Sequence, residues 1–280
     1  MAHNLKYIMQ IILCVFMLCL PFFFDKSVPE VAGDIRWMAT HMSVLLVSTL
    51  GCIWALKEKN KITLQHPIII WVVIGLAVTA IISYIETINP YRSWFFLKHF
   101  IAYLLLFYWV YTLRDTRFYN ALMWVLVLPI LPISILGMAQ FLDIRGVIGL
   151  DWARNYFAQS APPAGTFANK NLAASWLVAL LPIAFGLWIT VKTLWQRALL
   201  TVLLSVGLIF FLFGRSRASW LSLAIAGICL LIWLACQPAL RKHIRGVWNW
   251  QHVLGGLVII SALIWAYPQQ SPLTHAHGIS

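Results

Sequence analysis

The sequence predicts an all-α integral membrane protein, a polytopic bundle of about nine transmembrane helices that forms one domain over residues 1–280. Hydrophobic residues make up 62% of the chain and charged residues only 10%, whereas soluble domains carry about 25% charged residues. The apolar residues also form runs near the length of about 17–25 residues that crosses a bilayer. Such runs must be helical, because lipid offers no partner to an unpaired backbone amide.

Nine spans are predicted in chain order, and the residue bounds follow the apolar runs. They are Ile8–Phe24, Met38–Leu56, Ile68–Ile85, Phe95–Leu113, Leu122–Phe141, Leu172–Val191, Ala198–Phe213, Trp220–Cys236 and Val253–Tyr267. The first run could also be a signal peptide, but no small-x-small cleavage site precedes Asp25, so we expect a retained span. Five cysteines fall inside apolar runs, where we expect small apolar filler and no metal site: Cys14, Cys19, Cys52, Cys229 and Cys236.

The distribution of basic residues predicts the orientation of the bundle. The net charge is +12 and the pI about 9.8, but the basic residues lie in short loops and form no polar domain, which argues against nucleic acid. One set of alternate loops is richest in Lys and Arg, which predicts a cytoplasmic N-terminus and, after nine crossings, a C-terminus outside. That set contains Lys6, Lys57, Lys59, Lys61, Arg114, Arg117, Lys192, Arg197, Arg241, Lys242 and Arg245.

Several cations nevertheless fall on the outer side, next to the predicted spans. Lys26 and Arg36 have acidic neighbours in the sequence, but seven others have few: Arg92, Lys98, Arg145, Arg154, Lys170, Arg215 and Arg217. Cations beside a membrane can bind an anionic ligand, or their side chains can simply extend from helix ends to the water. The sequence leaves both interpretations open.

The first motif is GTFANKNLAA (165–174), which ends a long outer loop over 142–171 and leads into a predicted span interrupted by Pro182. Its free helix amides and Lys170 would attract an anion. Asn169 and Asn171 could donate hydrogen bonds to a sugar or phosphate, or could instead be helix N-caps. The loop is longer than a simple connection needs.

The second motif is SRASWL (216–221), which follows Gly214 and Arg215 in a short outer turn between two predicted spans. Two guanidinium groups beside small residues suit bidentate contact with phosphate. Alternatively, Ser216 or Ser219 caps the next helix while Arg215 and Arg217 extend to the membrane surface.

Taken together and in this order, the two motifs resemble the superfamily of O-antigen ligases, O-linked oligosaccharyltransferases and polysaccharide polymerases. The resemblance covers residues 140–236 well and the rest only by hydropathy. It implies a multi-pass glycosyltransferase of the bacterial inner membrane with a periplasmic site, so that the outer C-terminus would be periplasmic. The donor would be a glycan on undecaprenyl diphosphate, and the acceptor lipid A-core, a protein hydroxyl or a glycan chain.

The resemblance also implies roles for residues and the absence of a metal or nucleotide-sugar cofactor. It assigns Arg217 as the motif arginine, with Arg215 beside it, and Asn169 and Asn171 as the motif asparagines. From charge and placement we add Lys170 and Arg154 as ligands of the diphosphate or glycan.

The family's candidate general base is a histidine in a large periplasmic loop. Here residues 268–280 resemble only the start of such a loop, with His275 and His277 as weak candidates for the base. We therefore expect a C-terminally truncated member that lacks the last spans. Two other classes remain open: a transporter or flippase of lipid-linked glycans, and a non-catalytic membrane scaffold.

Overall fold

A computed structural model describes residues 2–23, 32–58, 67–85, 89–113, 115–144, 164–167 and 169–236. These residues form nine α-helices, and no strand occurs among them. Six helical segments are long and apolar enough to cross a membrane: Asn4–Phe22, Ile35–Lys57, Ser93–Thr112, Thr116–Phe141, Lys170–Thr190 and Leu194–Phe213. Two shorter apolar helices, Val73–Ile85 and Arg217–Cys229, lie at two further predicted spans. The ninth, Val253–Tyr267, lies outside the described residues.

The helix bounds differ from the predicted spans mainly at their first turns. The helices are α1 (Ala2–Cys19), α2 (Ala32–Glu58), α3 (Pro67–Ile85), α4 (Pro90–Thr112), α5 (Thr116–Val127), α6 (Ile130–Ile144), α7 (Lys170–Thr190), α8 (Leu194–Phe213) and α9 (Arg217–Ala235). A short 3-10 turn over Leu20–Phe22 follows α1. Helix α2 begins before the predicted Met38 and so contains Arg36. Helix α7 continues through Pro182 as one element.

Two groups of helices bury separate apolar clusters. Helices α1, α2, α4 and α5 surround Met9, Leu13 and Trp109, while α5, α6, α7 and α8 surround Leu177 and Phe210. Leu126 of α5 packs against both clusters. Helix α5 therefore joins the two groups through continuous side-chain packing, which is the usual way in which neighbouring helices hold a fixed position.

Helices α2 and α4 run parallel, so both begin at the same end of the bundle. The Trp37 ring stacks on Phe95 near their starts, and the Trp109 indole donates to Ser48 further along. The two motifs lie at this same end. Thr166 of the first motif donates to the Pro21 carbonyl. We call this end the site end; it carries residues 20–23, 32–36, 164–167 and 214–216.

The opposite end carries an ion pair between Lys6 Nζ and Asp115 Oδ2 at 3.5 Å. Asp115 is also the N-cap of α5 and accepts from the Phe118 amide at 2.7 Å. This amide first, and then the side chain of Gln10, hold the pKa of the Asp115 carboxyl below its usual value. Lys6 and Asp115 thus share one end, as the predicted loops require; which end faces the cytoplasm stays a prediction.

Candidate functional site

The first motif is held in place by a buried amide of α6. The Gln140 side chain donates from Nε2 to the Gly165 carbonyl at 3.0 Å, and its Oε1 accepts from the Gly165 amide at 2.9 Å. The Ala164 amide also donates to this oxygen, at 3.3 Å. A buried amide that satisfies both its donor and its acceptor with backbone fixes the position of that backbone. Gly165 itself has φ +59°, a left-handed conformation that glycine adopts without strain.

Arg36 of α2 fastens the same loop from the other side. Its Nη2 donates to the Thr166 carbonyl at 2.7 Å and to the Pro21 carbonyl at 3.1 Å, and its Nε donates to the Phe23 carbonyl at 2.9 Å. The guanidinium also lies 4.4 Å from the centroid of the Phe167 ring, a cation–π distance. Arg36 therefore links the end of α1, the start of α2 and the first motif.

The loop ends by starting α7. Asn169 is the N-cap of this helix, and its Oδ1 accepts from the Asn171 amide at 2.8 Å. Asn169 is therefore a helix N-cap, which is one of the two roles expected from the sequence. Its side-chain oxygen already accepts a hydrogen bond from the backbone of its own helix. Lys170 follows as the first residue of α7. An anchored loop consequently sets the direction in which the first turn of α7 faces.

The second motif forms a tight turn between α8 and α9. Arg215 has φ +49° and is the only non-glycine residue with positive φ among the residues described. The left-handed conformation costs an L-residue about 1 kcal/mol, so this turn keeps an arginine where glycine would be easier. Ser216 precedes α9, and its Oγ lies 2.9 Å from Ser219 Oγ in a buried hydroxyl pair. The Ser216 carbonyl accepts from the Trp220 amide, as a residue in the N-cap position does.

The two motifs line one open cleft at the site end, with a volume of about 880 Å³. It lies between the first turn of α7 and the turn that starts α9. Its walls are Lys170, Asn171, Ser175, Arg215, Ser216, Arg217, Ala218, Ser219 and Trp220. Segments far apart in the sequence thus contribute three cations and a set of small polar side chains, and no carboxylate is among these residues.

The electrostatics of the cleft favour an anion. Lys170 and Arg217 are the first residues of α7 and α9, so two helix N-termini meet at the cleft. Each helix N-terminus carries a partial charge of about +0.5 elementary charge from its unpaired amides. Two such ends and three cationic side chains form a site suited to phosphate-like groups.

The structure brings together four of the residues predicted from sequence: Lys170, Asn171, Arg215 and Arg217. Asn169 lies next to them as a helix cap. Arg154, His275 and His277 lie outside the described residues, so their predicted roles stay predictions. Within the described part of the chain, no group of three His, Cys, Asp or Glu side chains could hold a metal ion.

Two residues important for the geometry were missed by sequence reasoning: Arg36 and Gln140. The sequence places Arg36 beside acidic neighbours, whereas in the structure it donates to three backbone carbonyls. Gln140 was counted as part of a span. A single amide in an otherwise apolar run could have indicated its role, because polar groups within membrane spans usually bind something.

Comparisons of the chain with protein-family models, curated proteins and solved structures returned no match. In its described part the chain is all-helical, with six helices able by length and composition to cross a membrane and a cationic cleft at one end of the bundle.

Proposed function

We propose that the chain is a membrane glycosyltransferase that moves a glycan from undecaprenyl diphosphate to an acceptor hydroxyl at the outer face of a bacterial inner membrane. One observation carries the proposal: the two motifs that resemble the ligase superfamily converge on a single cleft with three cations. The acceptor would be lipid A-core, a protein or a growing glycan.

The chemistry of the donor explains why cations are needed. When the bond between the sugar and the diphosphate breaks, negative charge develops on the leaving diphosphate. Fixed positive charges at that position stabilise the transition state more than the ground state and so raise the rate. Arg217 is exposed on the first turn of α9, where its guanidinium can contact two phosphate oxygens. Arg215 and the ammonium of Lys170 complete the positive side of the cleft.

The glycan needs neutral hydrogen-bonding groups, and the cleft supplies these from α7 and α9. Asn171 and Ser175 lie on one helix face, since residues four apart share a face. Ser216 and Ser219 lie opposite them. In this proposal a base from the chain's C-terminal region, such as His275 or His277, takes the proton of the acceptor hydroxyl.

Arg217→Ala is the direct test of this proposal. Glycan transfer from a lipid-linked donor in membranes should fall about 10²- to 10³-fold, the usual effect of removing one group that stabilises a developing charge. Arg117→Ala is the matched control, because Arg117 is also an exposed arginine in a first helical turn but lies at the opposite end. Transfer by Arg217→Ala at the normal rate, with normal protein in the membrane, would refute the assignment.

The flippase alternative is separated from transfer in the same membranes. A flippase would move labelled lipid-linked glycan across liposome membranes without any acceptor. If the Arg217→Ala variant still produced transferred glycan, another site would have to carry out the transfer. Flipping without glycan transfer by the wild-type chain would favour the transporter and exclude the enzyme.

Arg215→Gly separates stability from function in the turn. Because glycine adopts the left-handed conformation freely, the melting temperature should stay the same or rise by an amount equivalent to about 1 kcal/mol. Glycan transfer should fall at least about tenfold, because a cation leaves the cleft. Arg215→Ala removes the same charge but keeps the strained left-handed backbone. Its melting temperature should therefore lie below that of the glycine variant. A glycine variant that transfers glycan normally would remove Arg215 from the proposed site.

A further inference from the structure

A second groove lies between α2 and α4, apart from the cationic cleft, and has a volume of about 370 Å³. Its walls are His41, Val44, Leu45, Lys98, Ile101, Ala102 and Leu105. On each helix these residues follow the i, i+3, i+4 pattern of a single face. Since α2 and α4 run parallel, both faces begin at the site end with a polar residue and continue with apolar ones.

The polar end of the groove lies near the start of the segment Ser93–Thr112, which is long and apolar enough to cross a membrane. Lys98 is eight residues after Pro90, the first residue of α4, which places its Cα about 12 Å along the helix. Side chains on a helix lean toward its N-terminus, so the long side chain of an exposed lysine reaches back toward the water. Its Nζ lies 5.8 Å from the centroid of the Phe95 ring. In a membrane crossed by this segment, the ammonium group would reach the level of the lipid headgroups.

Lys98 forms no ion pair with an acidic side chain among the residues that the structure describes. The second polar residue of the groove, His41, has its Nε2 3.3 Å from Nδ1 of the buried His99. The His99 ring in turn packs against Trp37 and Phe95. The histidine pair therefore holds a polar ring at the end of the groove that Lys98 also lines.

We propose that this groove binds one anionic phospholipid, with its phosphate at Lys98 and His41 and one acyl chain along the apolar wall toward Leu105. A single cation complements the single negative charge of a phosphodiester headgroup, whereas the cleft with three cations suits a group of higher charge. Val44 and Ala102 are buried and form the floor, while Leu45, Ile101 and Leu105 are exposed at the sides. The groove thus changes from polar to apolar along its length, as a phospholipid does from its headgroup to its acyl chains.

The test uses the purified full chain and native mass spectrometry with phosphatidylglycerol and phosphatidylcholine of identical acyl chains. The wild type should bind phosphatidylglycerol about fivefold more tightly, the contribution expected from one cation at a membrane surface. Lys98→Gln should lose this preference, and Lys98→Arg should keep it. Lys192→Gln is the control, because Lys192 is an exposed lysine outside the groove.

Varying the ligand then tests the acyl-chain part of the groove. Shortening the chains of phosphatidylglycerol should weaken binding to the wild type, and soluble glycerol phosphate should not displace the lipid. Displacement by glycerol phosphate, an unchanged preference in Lys98→Gln, or tighter binding of a prenyl phosphate than of phosphatidylglycerol would each overturn the proposal. Because none of these measurements involves glycan transfer, the outcome is independent of the proposed enzyme activity.

Discussion

Replacing Arg36 with methionine is expected to lower the free energy of unfolding by about 3 kcal/mol and glycan transfer by about a hundredfold. The guanidinium donates to the carbonyls of Pro21, Phe23 and Thr166, and hydrogen bonds from a charged donor contribute about 1.5–3 kcal/mol each without being additive. The Phe167 ring also loses its cation. Transfer falls because the loop before Lys170 shifts, and a displacement of about 1 Å in a positioning element can cost about 10²-fold.

Arg197→Met is the matched control for this prediction. Arg197 is also partly buried, but its side chain donates one hydrogen bond, from Nη2 to the Val191 carbonyl at 3.0 Å. Its loss should cost about 1.5 kcal/mol, the lower end of the range for one hydrogen bond from a charged donor. Because Arg197 lies at the end of the bundle opposite the cleft, transfer should stay unchanged. Arg36→Lys should recover only part of both properties, because an ammonium cannot reproduce the planar fork. Thermal unfolding in detergent and glycan transfer in membranes measure the two effects.

If Arg36→Met lost no more stability than Arg197→Met and transferred glycan at the wild-type rate, the position of the loop would not depend on Arg36. Loss of stability with normal transfer would mean that the loop position does not matter to the cleft. Each result contradicts a different part of the prediction.

Gly137→Ala is expected to destabilise the protein by about 1–3 kcal/mol, the usual cost of overfilling a packed interior, although alanine is the better helix former. A Cβ on Gly137 would overlap Cε2 of the Phe210 ring. That ring is 1% exposed and its Cζ also lies 3.5 Å from the position of a Cβ on Gly165. A displaced Phe210 therefore disturbs the left-handed turn of the first motif as well as the core.

Gly186→Ala in α7 is the control, because nothing lies within 4 Å of a Cβ at that position. It should stabilise the protein by up to about 1 kcal/mol through helix propensity. Combining Gly137→Ala with Phe210→Leu should restore part of the lost stability, since the smaller side chain can vacate the space. A strictly additive double variant in thermal unfolding would show that the ring is not the cause.

Much of the fold could be predicted from sequence because lipid imposes helices on long apolar runs. The differences occur where polar residues continue a helix beyond its apolar part. Helix α2 starts at Ala32 and includes Arg36, and α8 starts at Leu194, before the predicted Ala198. Hydropathy reports which residues prefer lipid, whereas backbone hydrogen bonding continues into the polar first turn.

The cleft could be predicted in part, because motif order and charge identified Lys170, Asn171, Arg215 and Arg217. Their anchors could not be found in this way. The contact between Arg36 and Thr166 spans 130 positions, and that between Gln140 and Gly165 spans 25. A local pattern contains no information about such pairs, since they exist only once separate helices pack. The same limit applies to the positive φ of Arg215, which sequence would assign to the preceding glycine.

The separation between Arg36 and Thr166 also has a consequence during biosynthesis. Ribosomes add about 5–20 residues per second, so at 130 positions of separation Arg36 is made about ten seconds before Thr166. Through that interval α1 and α2 are already present, and Arg36 can bind the Pro21 and Phe23 carbonyls but not yet Thr166. The newly made chain can therefore integrate its early helices first, and its cationic cleft is completed only when α7 and α9 have followed.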